Sequence, residues 1–135
     1  LAAHAADGTA RAVLEGLRAL APVKAVRGNV DREPWAHNIP TTEAFETDEV
    51  GVYVLHDLGE IDLAPDAARF KVVVSGHSHR PAIQERDGVL FVNPGSAGPR
   101  RFRLPVSIAL LHIRGASVDA ELVPLVPVPA LPRVR

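Results

Sequence analysis

The chain has no cysteine, no methionine, one tryptophan and one tyrosine among its 135 residues. Without cysteine it can form neither disulfides nor thiolate metal sites, so any bound metal must use nitrogen and oxygen ligands. No apolar run reaches the ~20 residues that span a bilayer, and no signal peptide is recognisable. These absences predict a soluble protein with no membrane partner, and the lack of disulfides is compatible with a cytoplasmic location.

Neither sign of charge predominates, since 15 basic and 16 acidic residues leave a net charge of -1. That balance gives no reason to expect strong binding to nucleic acid or to a membrane surface. The length predicts one folded domain around a single core. We place this domain at residues 1–124 and expect the proline-rich tail, residues 125–135, to be extended or disordered.

The order of hydrophobic patterns predicts an α/β fold. Helices are predicted at residues 9–21 and 63–70. Strands are predicted at residues 1–5, 23–27, 42–47, 51–55, 72–74, 81–86, 89–92, 105–113 and 116–123. Turn signals at Asp48-Glu49-Val50, Asp87-Gly88 and Arg114-Gly115 predict three antiparallel hairpins.

Two histidines follow the apolar run at residues 72–74, after Gly76. Alternation along an extended chain places residues i and i+2 on the same side, so His77 and His79 are expected to point together. They would face the crevice at the carboxyl end of the strand, where open α/β sheets bind ligands. The pair alone is compatible with metal ligation and with two solvated loop histidines.

Three other predicted strands also end close to a polar residue, namely Asp7, Asn29 or His56. Each residue has a simpler interpretation: Asp7 as a turn or helix cap, Asn29 as a turn residue, and His56 as an ordinary histidine. Adjacent parallel strands would nevertheless bring all these ends to one edge of the sheet. That placement favours a shared metal site.

Four motifs occur in a fixed order: Gly28-Asn29-Val30-Asp31, His56-Asp57, Gly76-His77-Ser78-His79 and Asn93-Pro94-Gly95-Ser96. In this order they resemble the calcineurin-like metallophosphoesterase superfamily, and most closely its branch of small bacterial and archaeal phosphodiesterases. The resemblance runs from residue 1 to about 123. It implies an α/β/β/α sandwich with two divalent metal ions, commonly manganese, iron, zinc or nickel, of which we favour manganese.

The resemblance also implies which residues bind each of the two metal ions. Asp7 would bridge the two metal ions, and His79 would face the first of them. Asn29, His56 and His77 would complete the shell of the second. Such a mixed nitrogen and oxygen shell suits these borderline ions.

Other residues are implied to act on the substrate. Asn29, Asp31 and His77 are assigned to catalysis, Asp31 by orienting neighbouring groups, and Asn29 is also assigned to substrate binding. Arg100 is a candidate phosphate contact, although a solvated basic surface is the simpler interpretation. Asn93 could reach substrate, but Asn-Pro-Gly is good turn chemistry and favours a structural role.

The sequence departs from the family pattern in two places. Val30 stands where the protein phosphatases of the superfamily have a histidine, so acid catalysis would fall to water or to another group. The family opens with a strand ending in Asp-x-His, which supplies two ligands of the first metal, and this sequence contains no Asp-x-His. We therefore expect the chain to begin after that strand and the first metal site to be weak.

The resemblance implies a metal-dependent phosphodiesterase that hydrolyses small or generic phosphodiesters with water activated by two metals. One alternative is a catalytically impaired protein-interaction scaffold of the same fold, as a retromer subunit is thought to be. Another is a protein that binds a single metal at the second site. The retained candidate ligands favour an enzyme ancestry. The apolar hairpins near the carboxyl end could also form a homo-oligomer surface.

Overall fold

The computed structural model describes residues 9–28, 34–98 and 103–125. Its elements, in chain order, are α1 (Thr9–Arg18), a 3-10 helix (Pro34–Asn38), β1 (Thr42–Thr47), β2 (Val50–Leu55), a second 3-10 helix (Leu58–Glu60), β3 (Val72–Val74), β4 (Ala82–Arg86), β5 (Val89–Asn93), β6 (Ser107–Arg114) and β7 (Ser117–Pro124). This is the mixed α/β architecture that the sequence predicts.

Five strands form one sheet in the order β1-β2-β3-β5-β4, and β6 pairs with β7 in a second sheet. The three hairpins predicted from the turn signals are present, each antiparallel. At the centre of the large sheet, β3 runs parallel to both β2 and β5. The carboxyl ends of these three strands therefore lie at one edge, which we call the carboxyl edge.

Each face of the large sheet is covered by a different part of the chain. On one face, alternate valines of β2 (Val50, Val52 and Val54) pack with apolar residues of β6 and β7. On the other face, Tyr53 and Leu55 pack with the segment at residues 58–70. The period-2 alternation of β2 thus divides its side chains between two apolar clusters.

The helix predicted for the segment before β3 is wrong. The segment makes a single turn that ends at Arg69, whose φ is 67°. The Phe70 N–H donates to the Pro65 carbonyl at 2.8 Å and the Arg69 N–H to the Asp66 carbonyl at 3.1 Å, the bond pair of a Schellman motif. The turn also lies against β2, where a Cβ on Gly51 would be 3.2 Å from the Arg69 carbonyl oxygen. The segment therefore makes one turn and enters β3 without forming a longer helix.

The prediction of a strand at residues 23–27 is also wrong, although part of the segment is buried as expected. Ala25 and Val26 are buried, and the Arg27 N–H donates to the Pro40 carbonyl at 2.8 Å. The segment belongs to neither described sheet. Apolar sequence predicted that it is buried, but not whether a neighbouring strand pairs with it.

Helix α1 begins where the sequence predicts and ends at Arg18, three residues before the predicted end. Leu14 on its predicted apolar face is buried, whereas Val13 is 48% exposed and Leu20 is 83% exposed. No helix in the described part of the chain is long and apolar enough to cross a membrane. The strand predicted at 1–5 and residues 126–135 of the predicted tail lie outside the described residues.

Backbone strain marks the exit from β3. His77 and His79 have φ values of 69° and 62°, in the left-handed region that L-residues rarely adopt. The expectation that the two histidines share one side of an extended chain is therefore wrong, because this segment is not extended. His79 is buried, while the His77 side chain is 46% exposed. Such strain persists only where surrounding contacts hold it, and it clusters at functional sites.

Replacing Val72 tests the position of β3 in the core. Val72 is fully buried, so Val72→Ala is expected to lower the free energy of unfolding by about 2–3 kcal/mol, from lost burial and the cavity left behind. The matched variant Val13→Ala removes the same atoms from an exposed site and should change it by less than ~0.5 kcal/mol. Urea denaturation measures both, and equal losses would contradict this placement of β3.

Because the backbone at His77 is left-handed, we predict that the stabilities of its glycine and alanine variants have the reverse of the usual order. His77→Gly should be more stable than His77→Ala by about 1 kcal/mol, because alanine keeps the Cβ that this conformation disfavours. His112 is exposed within β6 and serves as the control. There the alanine variant should be the more stable by roughly 0.5–1 kcal/mol. Thermal unfolding measures the stability of the four variants. A more stable alanine variant at both positions would contradict the left-handed conformation of His77.

Candidate metal centre

His56 and His77 meet at the carboxyl edge. His56 directly follows β2, and His77 lies three residues beyond β3. The N–H of Gly76 donates to the His56 carbonyl at 2.8 Å, which continues the parallel pairing past both strands. As a result the Nε2 atom of His56 lies 3.2 Å from the Nδ1 atom of His77, with the ring planes 82° apart.

This distance has two chemical interpretations. One neutral ring can donate its N–H to the other, or both nitrogen lone pairs can face one cation. With metal–nitrogen bonds of about 2.0–2.1 Å, two nitrogens 3.2 Å apart subtend roughly 100° at the metal. That angle is usual for neighbouring ligands of a divalent ion. The two histidines therefore fit a shared metal.

Asp57 provides a negative charge beside the pair. Its Oδ2 atom lies 3.9 Å from the Nε2 of His77, too far for a hydrogen bond, and both side chains are more than a third exposed. Its Oδ1 accepts the Gly59 N–H at 2.9 Å, which fixes the carboxylate as the cap of the second 3-10 helix. A metal ligand at Nδ1 of His77 would require the ring proton on Nε2, which is the ring nitrogen nearest Asp57.

Asp57 has no role among the residues predicted from the sequence, although it belongs to the His56-Asp57 motif. The available signal was the adjacency itself, since a carboxylate next to a candidate ligand is a common outer-shell partner of metal sites. The contact is with His77, however, and not with its own neighbour in sequence. Only the parallel pairing of β2 and β3 brings these two residues together.

Asn93, at the end of β5, contacts the loop that carries His77. Its Nδ2 donates to the Gly76 carbonyl at 3.0 Å and to the Ser78 hydroxyl at 3.1 Å. Its Oδ1 accepts the N–H of Gly95 at 2.9 Å. The turn role expected for Asn93 is therefore present, and a contact with the histidine loop is added to it.

An open cleft of about 260 Å³ lies beside His77. Its polar lining includes Asp57, His77, Arg80, Gln84 and Asn93, and its apolar lining includes Leu58, Ala82, Phe91 and Val92. Arg80 is exposed and is the cationic side chain of this lining. The cleft is small for a ligand site.

Four predicted site residues lie outside the described residues, namely Asp7, Asn29, Asp31 and Arg100. Among the residues that the structure describes, no three histidine, aspartate or glutamate side chains group as a metal shell. The structure thus brings together two of the predicted ligands, His56 and His77. The oxygen ligands needed to complete the shell, Asp7 and Asn29, stay predictions.

Comparison with known proteins places the chain in a family. Residues 1–116 match the calcineurin-like phosphoesterase superfamily domain. The chain is 34% identical over 129 residues to a protein of Methanothermobacter thermautotrophicus named a probable metallophosphoesterase, covering 89% of this chain and 73% of that protein. It is 33% identical over 134 residues to a protein of Methanocaldococcus jannaschii with the same description, covering 90% of this chain and 65% of the relative.

The fold is similar to a crystal structure of Vps29 from Entamoeba histolytica in complex with Zn²⁺. The TM-score is 0.65 at 23% identity, covering 84% of this chain and 76% of that one. At this identity the likeness concerns the fold alone. The match over residues 1–116, together with relatives above 30% identity, shows that the chain belongs to the calcineurin-like phosphoesterase superfamily.

Proposed function

We propose that this chain carries the site of a metal-dependent phosphodiesterase that hydrolyses small phosphodiesters. The observation that carries the proposal is the 3.2 Å approach of His56 Nε2 and His77 Nδ1 at the ends of neighbouring parallel strands. Membership of the phosphoesterase superfamily supports the reaction class. The small cleft beside His77 supports a small substrate.

His56 and His77 would hold the cation as neutral rings, because a protonated ring has no lone pair to offer. For Nδ1 of His77 to be a ligand, the ring proton would lie on Nε2, which faces the carboxylate of Asp57 at 3.9 Å. Arg80, in the lining of the cleft, supplies positive charge to which a phosphodiester anion is attracted. Each of these residues lies in the part of the chain that the structure describes, and its position there supports the role.

Two divalent cations, when bound, would supply positive charge at the phosphoryl oxygens and lower the pKa of water. We assign Asp7 to bridging them, His79 to the first and Asn29 to the second beside the histidine pair. The donor set of imidazole, carboxylate and amide groups, without thiolate, fits manganese, iron, zinc or nickel. Manganese is our choice for the assay.

Asp31, Asn29 and Arg100 complete the proposal on the substrate side. Asp31 would orient groups of the motif that contains Asn29, Asn29 would contact substrate, and Arg100 would contact phosphate. With Val30 after Asn29, the leaving group would take its proton from water.

A protein-interaction scaffold of the same fold is the competing proposal. The fold similarity to Vps29 keeps this alternative open, but a scaffold has no need for a strained backbone at His77 or for the facing ring nitrogens of His56 and His77. Metal binding together with turnover separates the two proposals, because a scaffold would lack the turnover.

Manganese-dependent hydrolysis of bis(p-nitrophenyl) phosphate tests the proposed function. Turnover should require Mn²⁺ and disappear on addition of a chelator. His77→Ala should lower kcat/KM by about 100-fold or more, since loss of an outer-shell partner alone typically costs 10–100-fold. His56→Ala should have an effect of the same size.

His112→Ala is the matched control for this assay. His112 is an exposed histidine of β6 that pairs with Glu121 at 3.0 Å, so its replacement should leave turnover unchanged. Folded chain that binds Mn²⁺ without hydrolysing the diester would contradict the phosphodiesterase proposal and favour a binding protein. Turnover that survives His77→Ala would remove the histidine pair from the mechanism.

A further inference from the structure

We propose that Asn93 is a positioning residue, which holds the backbone on both sides of His77 and so directs its Nδ1 toward His56. The inference rests on the proposed function, because the ligand that His77 would present is a divalent cation. It assigns to Asn93 a role beyond the turn that its Asn-Pro-Gly sequence predicts. We call the contacts of Asn93 with Gly76 and Ser78 the amide clamp.

The amide clamp encloses His77 in the sequence. One Nδ2 hydrogen of Asn93 is donated to the carbonyl of Gly76, the residue before His77. The other is donated to the hydroxyl of Ser78, the residue after it. Both neighbours of the histidine are thus tied to one planar group, at distances of 3.0 and 3.1 Å.

The orientation of the Asn93 amide is determined by its partners. The Gly95 N–H can only donate, so the atom that faces it at 2.9 Å must be the oxygen. The nitrogen must then face the Gly76 carbonyl, which can only accept. A flipped amide would place oxygen against oxygen and nitrogen against N–H, so the network admits one orientation.

The clamp opposes the strain at His77. A residue with φ of 69° tends to relax to the right-handed or extended region, and such a rotation would turn the imidazole away from His56. Fixing Gly76 and Ser78 leaves little freedom for it. The Ser78 hydroxyl also accepts the Arg80 N–H at 3.2 Å, so the same serine braces the backbone across His79.

The base of the clamp is itself rigid. Asn93 is the last residue of β5 and pairs with Ala82 of β4. Beyond it, the Ser107 hydroxyl donates to the Pro94 carbonyl at 2.8 Å, and Gly95 has a φ of 79° with Ser107 pressed against the position of a Cβ. A positioning group must be held as firmly as the ligand that it positions.

Aspartate at position 93 separates positioning from charge. Asn93→Asp keeps the oxygen that accepts from Gly95 and removes the donor to Gly76. The added negative charge alone would strengthen cation binding, whereas loss of the clamp would weaken it. We expect the Kd for Co²⁺, titrated into the full chain by its visible absorption, to rise about tenfold or more.

Two control variants separate this effect from charge and from stability. Asn38→Asp adds the same charge at the exposed end of the first 3-10 helix and should leave the Kd for Co²⁺ unchanged. Leu111→Ala removes a core contact of β6 and should lower the melting temperature without changing the Kd. A role of Asn93 in stability alone would make Asn93→Asp behave like Leu111→Ala.

Ser78→Ala provides a second test in case Asn93→Asp does not fold. It removes one acceptor of the clamp from an exposed position without changing the charge, and a Kd raised about fivefold is expected. Unchanged or tighter Co²⁺ binding in a folded Asn93→Asp chain, or unchanged binding in Ser78→Ala, would overturn the inference. Failure of the unaltered chain to bind Co²⁺ would instead contradict the proposed function.

Discussion

Parallel pairing of β3 with both β2 and β5 is the constraint on which the candidate site depends. It places the residues that follow three separate strands at one edge: His56 after β2, the loop around His77 after β3, and Asn93 at the end of β5. These residues are far apart in sequence. The apolar contacts on both faces of the sheet stabilise this pairing, so the geometry of the edge is supported by the whole core.

Strand ends were predictable from the sequence, and local backbone geometry was not. The hairpins follow from short turn signals such as Asp87-Gly88, whose two positive φ values fit a type I′ turn. The helix predicted before β3 failed because the segment closes into a single turn at Arg69 that lies against Gly51 of β2, and sequence periodicity does not contain that neighbour. The absence of residues 23–27 from the two described sheets likewise does not follow from their own composition.

The candidate site, too, could be predicted only in part from its sequence motifs. That His56 and His77 belong to one group could be predicted, because both follow strands expected to be parallel. The positive φ of His77 could not, because it belongs to a tight turn closed by the Ser78 N–H and the Gly76 carbonyl at 2.8 Å, in a loop that Asn93 contacts from sixteen residues further along the chain. Sites of this kind depart from local preferences where distant contacts compensate for the strain. Metal binding by these histidines stays a prediction.

The three hairpin turns lie at the end of the sheets opposite to the carboxyl edge. The turn of β1 and β2 contacts the turn of β6 and β7 directly, through the Glu49 N–H to the Gly115 carbonyl and the Gly115 N–H to the Asp48 carboxylate, both at 3.0 Å. Gly88 lies at the tip of the third turn with open space around it. A surface tether or an inserted peptide at this turn, rather than a side chain on Gly88 itself, whose φ of 77° disfavours one, would therefore leave the cleft beside His77 open to solvent.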